Sequence, residues 1–189
     1  MTTNIQLRKG VAADATAIHD LITANLSVGH LLPRSFEDVE SHAERFVVAV
    51  ADDRVIGCAE LAPLSSEVAE VRSLVVDEAM RGQRAGVALV NALADRAREI
   101  GYVTLCAFTH QPAHFIRLGF SIVPHVWVPE KIALDCVGCS QFRHCGQYAV
   151  SLPLRAGAGL RLEQTAPPAR AISGPRASVE RLKLLPVTA

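Results

Sequence analysis

Between Val71 and Leu93 the sequence reads VRSLVVDEAMRGQRAGVALVNAL, and this stretch decides the fold. It opens with a run of apolar, mostly β-branched residues, which predicts a buried strand. An acidic corner follows, and then a turn in which Gly82 and Gly86 stand among basic and amide side chains. From Val87 to Ile100 apolar residues recur at helical spacing. The stretch therefore predicts a strand, a glycine-bearing turn and a helix.

Patterns on both sides extend this unit to a mixed α/β order. The predicted strands are NIQLRK, FVVAV, RVIGCAEL, AEVRSLVV, YVTLCAFT, FSIVP and QYAVSLPL. The predicted helices are ADATAIHDLITANL, Phe36 to Arg45, Val87 to Ile100 and PAHFIRLG. An antiparallel meander is thus joined to a central β-α-β unit. This order predicts an α/β sheet with helices on both faces.

The composition is that of one globular domain, and any site for an anionic ligand must be local. The 189 residues are half apolar and one-fifth charged, and the formal net charge is zero. A neutral chain has no overall field that attracts nucleic acid or an anionic membrane. We expect the domain to occupy residues 1–154. From Arg155 onward Ala, Pro, Arg and Gly dominate, so residues 155–189 are expected to form a disordered tail.

The N-terminal sequence and the cysteines predict a cytoplasmic location. The first 20 residues lack a basic segment followed by an apolar one, and no window offers about 18 consecutive apolar residues. The five cysteines are an odd number, which suits a reducing compartment better than a disulfide framework. We therefore expect neither a membrane span nor structural disulfides.

The glycine-bearing turn predicts an anion site, because the first turn of a helix has free N–H groups at its positive dipole end. A nucleotide P-loop would end in Gly-Lys-Ser/Thr, which is absent here. A dinucleotide fingerprint would need three glycines, and only Gly82 and Gly86 are present. A basic surface turn without a ligand remains an alternative on these residues alone.

The segment RGQRAG, from Arg81 to Gly86, resembles the Arg/Gln-x-x-Gly-x-Gly/Ala signature of the GNAT superfamily of N-acetyltransferases. IQLRKGVAADATAIHDLI and FIRLGF resemble further segments of that superfamily, and the resemblance extends to about Leu154. It implies a mixed, mostly antiparallel sheet and acetyl-CoA as co-substrate, with the pyrophosphate in the turn and the pantetheine arm on the preceding strand. The implied acetyl-CoA contacts are Leu74, Val75, Val76, Arg81, Gly82, Gln83, Arg84, Ala85, Gly86 and Val87.

Arg84 departs from the signature, because it stands where the signature has glycine. A negative φ there would leave the cradle of backbone N–H groups intact, whereas a positive φ would cost arginine about 1 kcal/mol or more. We expect a solvated side chain that projects away from the cradle, and a strained or ligand-blocking Arg84 would weaken the acetyl-CoA interpretation. The alternative is a positive charge near the 3′-phosphate of CoA.

Four further segments resemble the short bacterial N-acetylglutamate synthases: HLLPRS, IGCAEL, AEVRSLVV, and PEKIALDCVGC followed by FRHC. This resemblance implies acetyl transfer to the α-amine of L-glutamate, the first step of arginine biosynthesis, by direct attack in a ternary complex. Two alternatives stay open. One is a GNAT enzyme for another amino acid or small amine, and the other is a non-catalytic acyl-CoA or metal-binding regulatory module. A homodimer is compatible with either.

The resemblance assigns Glu70 as the general base that takes a proton from the acceptor ammonium. On the residues alone, an exposed strand carboxylate paired with a nearby arginine is the favoured interpretation, because surface ion pairs are commonplace, and the resemblance reverses that preference. Arg34 and Lys131 are the candidates to bind the carboxylates of glutamate, with Ser73 as a further hydrogen-bond donor. Strict alternation puts Glu70 and Ser73 on opposite faces of the strand, so a β-bulge is needed to bring both to one cleft. Arg72 is expected to be a structural ion-pair partner.

Many superfamily members use a tyrosine to donate a proton to the leaving thiolate of CoA. Here Phe115 stands near that position, so this acid is missing. The resemblance points instead to the hydroxyl of Thr109. The tetrahedral oxyanion is expected to be held by backbone N–H groups between Leu74 and Val76. Cys58 and Cys106 lack a neighbouring residue that would activate a nucleophile.

Three clustered cysteines, Cys136, Cys139 and Cys145, resemble a zinc knuckle that is one ligand short. Asp135, His125 or a neighbouring subunit is a candidate for the fourth ligand. The alternative is three free thiols in a loop beside the substrate. The cluster therefore adds zinc as a second candidate ligand, after acetyl-CoA.

Overall fold

A computed structural model describes residues 4–26 and 31–155 of the chain. One sheet contains seven strands in the order β1-β2-β3-β4-β5-β7-β6. The strands are β1 (Gln6–Lys9), β2 (Phe46–Ala51), β3 (Arg54–Pro63), β4 (Val68–Val76), β5 (Thr104–Thr109), β6 (Ser121–Val123) and β7 (Tyr148–Pro153). The helices are α1 (Ala15–Ala24), α2 (Phe36–Ser41), α3 (Ala85–Ile100), α4 (Pro112–Ile116) and α5 (Pro129–Lys131).

The architecture confirms the predicted fold class. Every strand pair is antiparallel except β4 with β5, so the sheet is mixed and mostly antiparallel. The helix predicted from Phe36 to Arg45 ends earlier, at Ser41, and a 3-10 turn covers Ala43–Arg45. The predicted tail lies outside the described residues except for Arg155. Among the residues described, no helix is both long and apolar enough to cross a membrane.

Helices cover both faces of the sheet because the strands alternate apolar side chains between the two faces. On one face Val47 and Ala49 of β2 belong to the core that contains Leu89 and Leu93 of α3. On the other face Val48 packs in a second core with residues of α1 and α2. Leu89 and Leu93 are fully buried. Truncating either to alanine is expected to cost about 2–5 kcal/mol.

The pairing of β3 with β4 contains the bulge that a shared cleft requires. Cys58 pairs with Val75 and Glu60 with Arg72, so a single β3 residue between them faces both Ser73 and Leu74. Ser73 has a φ of 49°. An extra residue of this kind bends the strand and changes the direction of its side chains. Ser73 consequently lines the same cleft as Glu70.

Strands β4 and β5 separate partway along their length. Their parallel register runs from Val68 with Thr104 to Glu70 with Cys106 and ends there. Beyond this point β4 continues along β3, whereas β5 continues along β7 to Thr109. The opening between the diverging strands exposes backbone and side chains of β4. It positions the cleft described next.

Candidate active site

A cleft of about 770 Å³ occupies the opening between β4 and β5. This volume lies within the range of small-molecule sites, roughly 300–1,000 Å³. Its walls combine the bulged end of β4, the end of β5, the start of α3 and the segment around α5. The residues that line it include Arg34, Glu70, Arg72, Ser73, Leu74, Val75, Val76, Arg81, Gly86, Thr109, His114, Lys131, Asp135 and Cys139.

The turn before α3 presents the N-terminal amides of a 16-residue helix to one end of the cleft. Gly82 has a φ of 83° and Arg84 has a φ of 63°, so both residues adopt the left-handed backbone conformation. Of the two conformations considered for Arg84, the structure has the positive φ, and its side chain is exposed as expected. The left-handed region is the conformation that glycine would adopt freely at this position. Arg84 thus keeps the backbone shape of the signature at a cost of about 1 kcal/mol.

Gly86 leaves this end of the cleft open. A Cβ added there would lie 3.6 Å from Cε1 of His114, which is ordinary van der Waals contact. The packing of the protein therefore does not itself require glycine at this position. Absence of a side chain instead gives a ligand close access to the helix amides, as an anionic group needs. The residues present fit the pyrophosphate of acetyl-CoA.

The predicted acetyl-CoA residues fall into two groups. Those that line the cleft are Leu74, Val75, Val76, Arg81 and Gly86. Those beside it in the turn and first helical turn are Gly82, Gln83, Arg84, Ala85 and Val87. On the β5 side of β4, the pairing ends at Glu70, so backbone groups further along β4 face the cleft. An extended amide chain such as pantetheine can pair with them as an additional strand does.

Glu70 lies at the last paired position of β4 and is only 2% exposed. Its carboxylate accepts a hydrogen bond from Nε of Arg72, and its Oε1 lies 2.8 Å from Nζ of Lys131. Asp135 contacts the same two cations, since its Oδ2 is 2.9 Å from Nζ of Lys131 and also accepts a hydrogen bond from Nη2 of Arg72. Burial opposes the positive charge of Arg72, but Glu70 and Asp135 outweigh it and raise the pKa of Arg72.

Arg34 is placed by the start of α2. Ser35 caps that helix, accepting a hydrogen bond from the N–H of Asp38 at 3.2 Å. Nη1 of Arg34 donates to Oε2 of Glu60 at 2.8 Å and to Oγ of Ser73 at 3.4 Å, and its Nε donates to Asp38. Burial alone would raise the pKa of Asp38, but the hydrogen bond from Arg34 outweighs it and the pKa is lowered. Arg34 and Ser73 therefore reach the cleft already joined to each other.

The residues around the predicted leaving-group site are Thr109, His114 and Phe115. Oγ1 of Thr109 accepts a hydrogen bond from the N–H of Gln111 at 3.0 Å. Phe115 is buried and packs edge-on against Phe120, so it belongs to the core. His114 lines the cleft beside Gly86 and was not predicted. Burial lowers the pKa of His114, and the charge of Arg117 lowers it further.

In the part of the chain that the structure describes, the cysteines form no metal site, and the two buried thiols have raised pKa values. Within residues 4–26 and 31–155, no group of three or more His, Cys, Asp or Glu side chains is arranged to hold a metal ion. The zinc site predicted at Cys136, Cys139 and Cys145 is therefore not supported, and all three are free thiols. Burial raises the pKa of the Cys58 thiol to about 12. Burial likewise raises the pKa of Cys106.

The structure thus brings together Glu70, Ser73, Arg34 and Lys131, but it surrounds them with carboxylates that the sequence analysis did not place there. Glu60 and Asp38 hold Arg34, and Asp135 had been considered only as a metal ligand. One signal was present in the sequence. Lys131 and Asp135 are four residues apart, which is the spacing of a helical ion pair.

A model of the Acetyltransferase (GNAT) family matches residues 15–120. An uncharacterized N-acetyltransferase from Chlorobaculum tepidum is 31% identical over 144 residues, which are 76% of this chain and 93% of the relative. An amino-acid acetyltransferase from Shewanella oneidensis is 34% identical over 128 residues, or 67% of this chain. The chain spans only 29% of the length of that enzyme.

Solved structures agree with the fold. N-acetylglutamate synthase from Neisseria gonorrhoeae, complexed with coenzyme A and N-acetyl-glutamate, superposes with a TM-score of 0.71 at 23% identity. The alignment covers 82% of this chain and 36% of the Neisseria chain. At this identity the likeness establishes the fold alone.

Proposed function

The chain belongs to the GNAT acetyltransferase family, and we propose that it transfers the acetyl group of acetyl-CoA to the α-amine of L-glutamate. Acetyl transfer is the chemistry of the family. An amino acid as acceptor is supported by the 34% identity to the Shewanella amino-acid acetyltransferase. The observation that carries the proposal is the position of Glu70, at the point where β4 and β5 part, among three cationic side chains of one cleft.

Acetyl-CoA would lie along β4, with its pyrophosphate at the start of α3 and its thioester near the bulge. The amides of α3 stabilise the phosphates because they are free donors at a positive dipole end. Backbone N–H groups between Leu74 and Val76 would hold the carbonyl oxygen as it becomes an oxyanion. In this arrangement the thioester would lie next to Glu70 and Ser73.

Glu70 would act as the general base. The acceptor enters as an ammonium, so one proton must leave before its nitrogen can attack the thioester carbon. Arg72 and Lys131 fix the carboxylate of Glu70. Its Oε2 accepts from both cations, whereas Oε1 contacts Lys131 alone and retains a lone pair for the acceptor or a bridging water. The C–N bond then forms, the C–S bond breaks, and the electron pair of that bond stays on the sulfur of CoA. The second proton that the nitrogen loses on becoming an amide passes to this thiolate or to water. Thr109 would donate a hydrogen bond to this thiolate.

Arg34, Ser73 and Lys131 would bind the carboxylates of the acceptor. Guanidinium and ammonium groups are the side chains that recognise carboxylates. Arg34 is 16% exposed, so a ligand in the cleft can reach it. Buried Cys58 and Cys106 hold their protons, and this supports direct attack in a ternary complex over an acyl-enzyme.

A second candidate acceptor is another amino acid or a small amine. It is favoured by the ion pairs of the site, because each cation proposed to bind the carboxylates of the acceptor already pairs with carboxylates of the protein. Arg34 pairs with Asp38 and Glu60, and Lys131 pairs with Glu70 and Asp135. An acceptor without a carboxylate would not have to compete with these groups.

Acetyl-CoA-dependent release of CoA, measured with a panel of amines, tests the proposal. The panel includes L-glutamate, L-glutamine, L-aspartate and a diamine. We expect the highest kcat/KM with L-glutamate and a product acetylated on the α-nitrogen. Strong release with another amine and none with glutamate would overturn glutamate as the acceptor while leaving acetyl transfer intact.

A further inference from the structure

Arg72 and Lys131 share the same two carboxylates, Glu70 and Asp135. Nζ of Lys131 lies 2.8 Å from Glu70 Oε1 and 2.9 Å from Asp135 Oδ2. The guanidinium of Arg72 donates to both carboxylates as well. The four side chains therefore form a closed ring of ion pairs in the wall of the cleft. Two positive charges face two negative charges, so the ring has no surplus charge to attract an anionic ligand.

The two carboxylates of this ring are not equivalent. The side chain of Glu70 is 3% exposed and extends from the middle of the sheet. The side chain of Asp135 is 36% exposed and also lines the cleft. Removing Asp135 from the ring would leave two cations and one carboxylate. The ring would then carry one uncompensated positive charge, next to the proposed base.

Asp135 is carried by an unusual backbone element. Residues Ile132–Cys136 form a single π-helical turn directly after α5. The N–H of Val137 reaches back to the carbonyl of Ile132 at 3.2 Å, in the five-residue spacing of such a turn. π-Helical turns are rare and occur frequently at functional sites. Asp135 therefore lies on a short helical segment, whereas Glu70 and Arg72 lie on the central strand β4.

We propose that Arg72 and Lys131 form the subsite for the second carboxylate of a dicarboxylic acceptor, and that Asp135 occupies this subsite until the acceptor displaces it. The inference rests on the proposed function, because it names the site that selects glutamate. Arg34 and Ser73 then hold the first carboxylate, on the other side of Glu70. A neutral side chain brings no charge to replace Asp135, so it leaves the ring closed.

This arrangement makes Asp135 an internal competitor of the acceptor. When a binding-competent state is only partly populated, the apparent affinity falls by the populated fraction. Removing the charge of Asp135 should therefore tighten the binding of a dicarboxylate and leave acetyl-CoA unaffected. Glu130 provides the matched control, because it is a carboxylate on the same short segment and lies outside the ring.

Glutarate is the probe, since it carries two carboxylates and no amine, and its binding to the CoA-saturated protein is measured by titration calorimetry. We expect Asp135→Asn to bind glutarate about tenfold more tightly than the unsubstituted protein. Glu130→Gln should leave its affinity unchanged. Lys131→Gln should weaken it at least about tenfold and remove the effect of Asp135→Asn in the double variant. Asp135→Ser serves as a second variant, and unchanged CoA affinity verifies that each protein is folded.

Equal glutarate affinity in Asp135→Asn and in the unsubstituted protein would overturn the proposal, as would glutarate binding that Lys131→Gln leaves intact. Failure of the proposed function looks different. If Asp135→Asn tightens glutarate but glutamate releases no CoA, the subsite stands and glutamate is not the acceptor. If glutamate releases CoA but Asp135→Asn does not change the affinity for glutarate, the proposed function is supported and the proposed subsite is overturned.

Discussion

Lys131 Nζ lies 2.8 Å from Oε1 of Glu70, and this contact joins two residues separated by 61 positions in the chain. It joins the segment that follows β6 to the central strand β4 at Glu70, the proposed base. Lys131 also lies 5.3 Å above the ring of Phe108, so its ammonium is held from two sides. The orientation of the Glu70 carboxylate therefore depends on Lys131, which comes from a distant part of the sequence.

The turn before α3 stores backbone strain that a pair of substitutions can measure. Arg84→Gly places glycine at a φ of 63° and should stabilise the protein by about 1 kcal/mol. Gly82→Ala places a Cβ at a φ of 83°, where no atom lies within 4 Å, so backbone strain alone should destabilise it by about 1 kcal/mol. Urea unfolding of both variants checks this. Equal stabilities of Arg84→Gly and the unsubstituted protein would contradict the strain assigned to Arg84.

Acetyl-CoA alone should not acetylate Cys58 or Cys106. Cys58 has a pKa of about 12, and the pKa of Cys106 is raised as well, so neither thiol ionises appreciably at neutral pH. Peptide mass spectrometry after incubation with acetyl-CoA, and without acceptor, should show both thiols unmodified. A stoichiometric acetyl adduct on either thiol that disappears when glutamate is added would instead establish an acyl-enzyme.

Arg34 should affect stability as well as acceptor binding, because Glu60 beside it is 1% exposed. Arg34→Gln leaves that carboxylate poorly compensated and should destabilise the protein by about 3–5 kcal/mol. Combining it with Glu60→Gln removes the buried charge and should recover most of the loss, as denaturant unfolding can measure. The double variant should still show a KM for glutamate at least about tenfold higher. An unchanged KM would exclude Arg34 from carboxylate binding.

His114 should make the protein less stable in weak acid. Its folded pKa is lowered by burial and by Arg117, so the unfolded chain binds the proton more readily. Stability is then fully present above the unfolded value of about 6.5 and decreases as the pH falls through it toward the folded value. His114→Gln should flatten this decrease, measured as the difference in unfolding free energy between pH 7.5 and pH 5.5. A decrease of equal size in both proteins would contradict the assignment.

Local features of the site could be predicted from sequence because they depend on neighbours in the chain. The β4–turn–α3 unit follows from β-branched residues, glycines and helical spacing within Val71 to Ile100. The need for a bulge followed from the three-residue spacing of Glu70 and Ser73. Ser35 at the start of α2 was likewise visible as a cap.

The remaining features depend on contacts between distant segments. Arg34 meets Glu60 across 26 residues, and neither residue indicates the other. Asp135 lies on a π turn, which no sequence pattern marks, so its role in the cleft was missed. The sequence left the sign of φ at Arg84 open, and the structure shows a left-handed conformation at the residue that precedes α3.

The most direct test of the account is the turnover of Glu70→Gln with L-glutamate, compared with Glu67→Gln, an exposed carboxylate just before β4. Loss of a general base typically lowers kcat by about 10²–10⁴-fold. We predict a loss of this size in Glu70→Gln with an unchanged Kd for acetyl-CoA, and no loss in Glu67→Gln. If Glu70→Gln binds acetyl-CoA normally and turns over glutamate within about threefold of the unsubstituted enzyme, Glu70 is not the base.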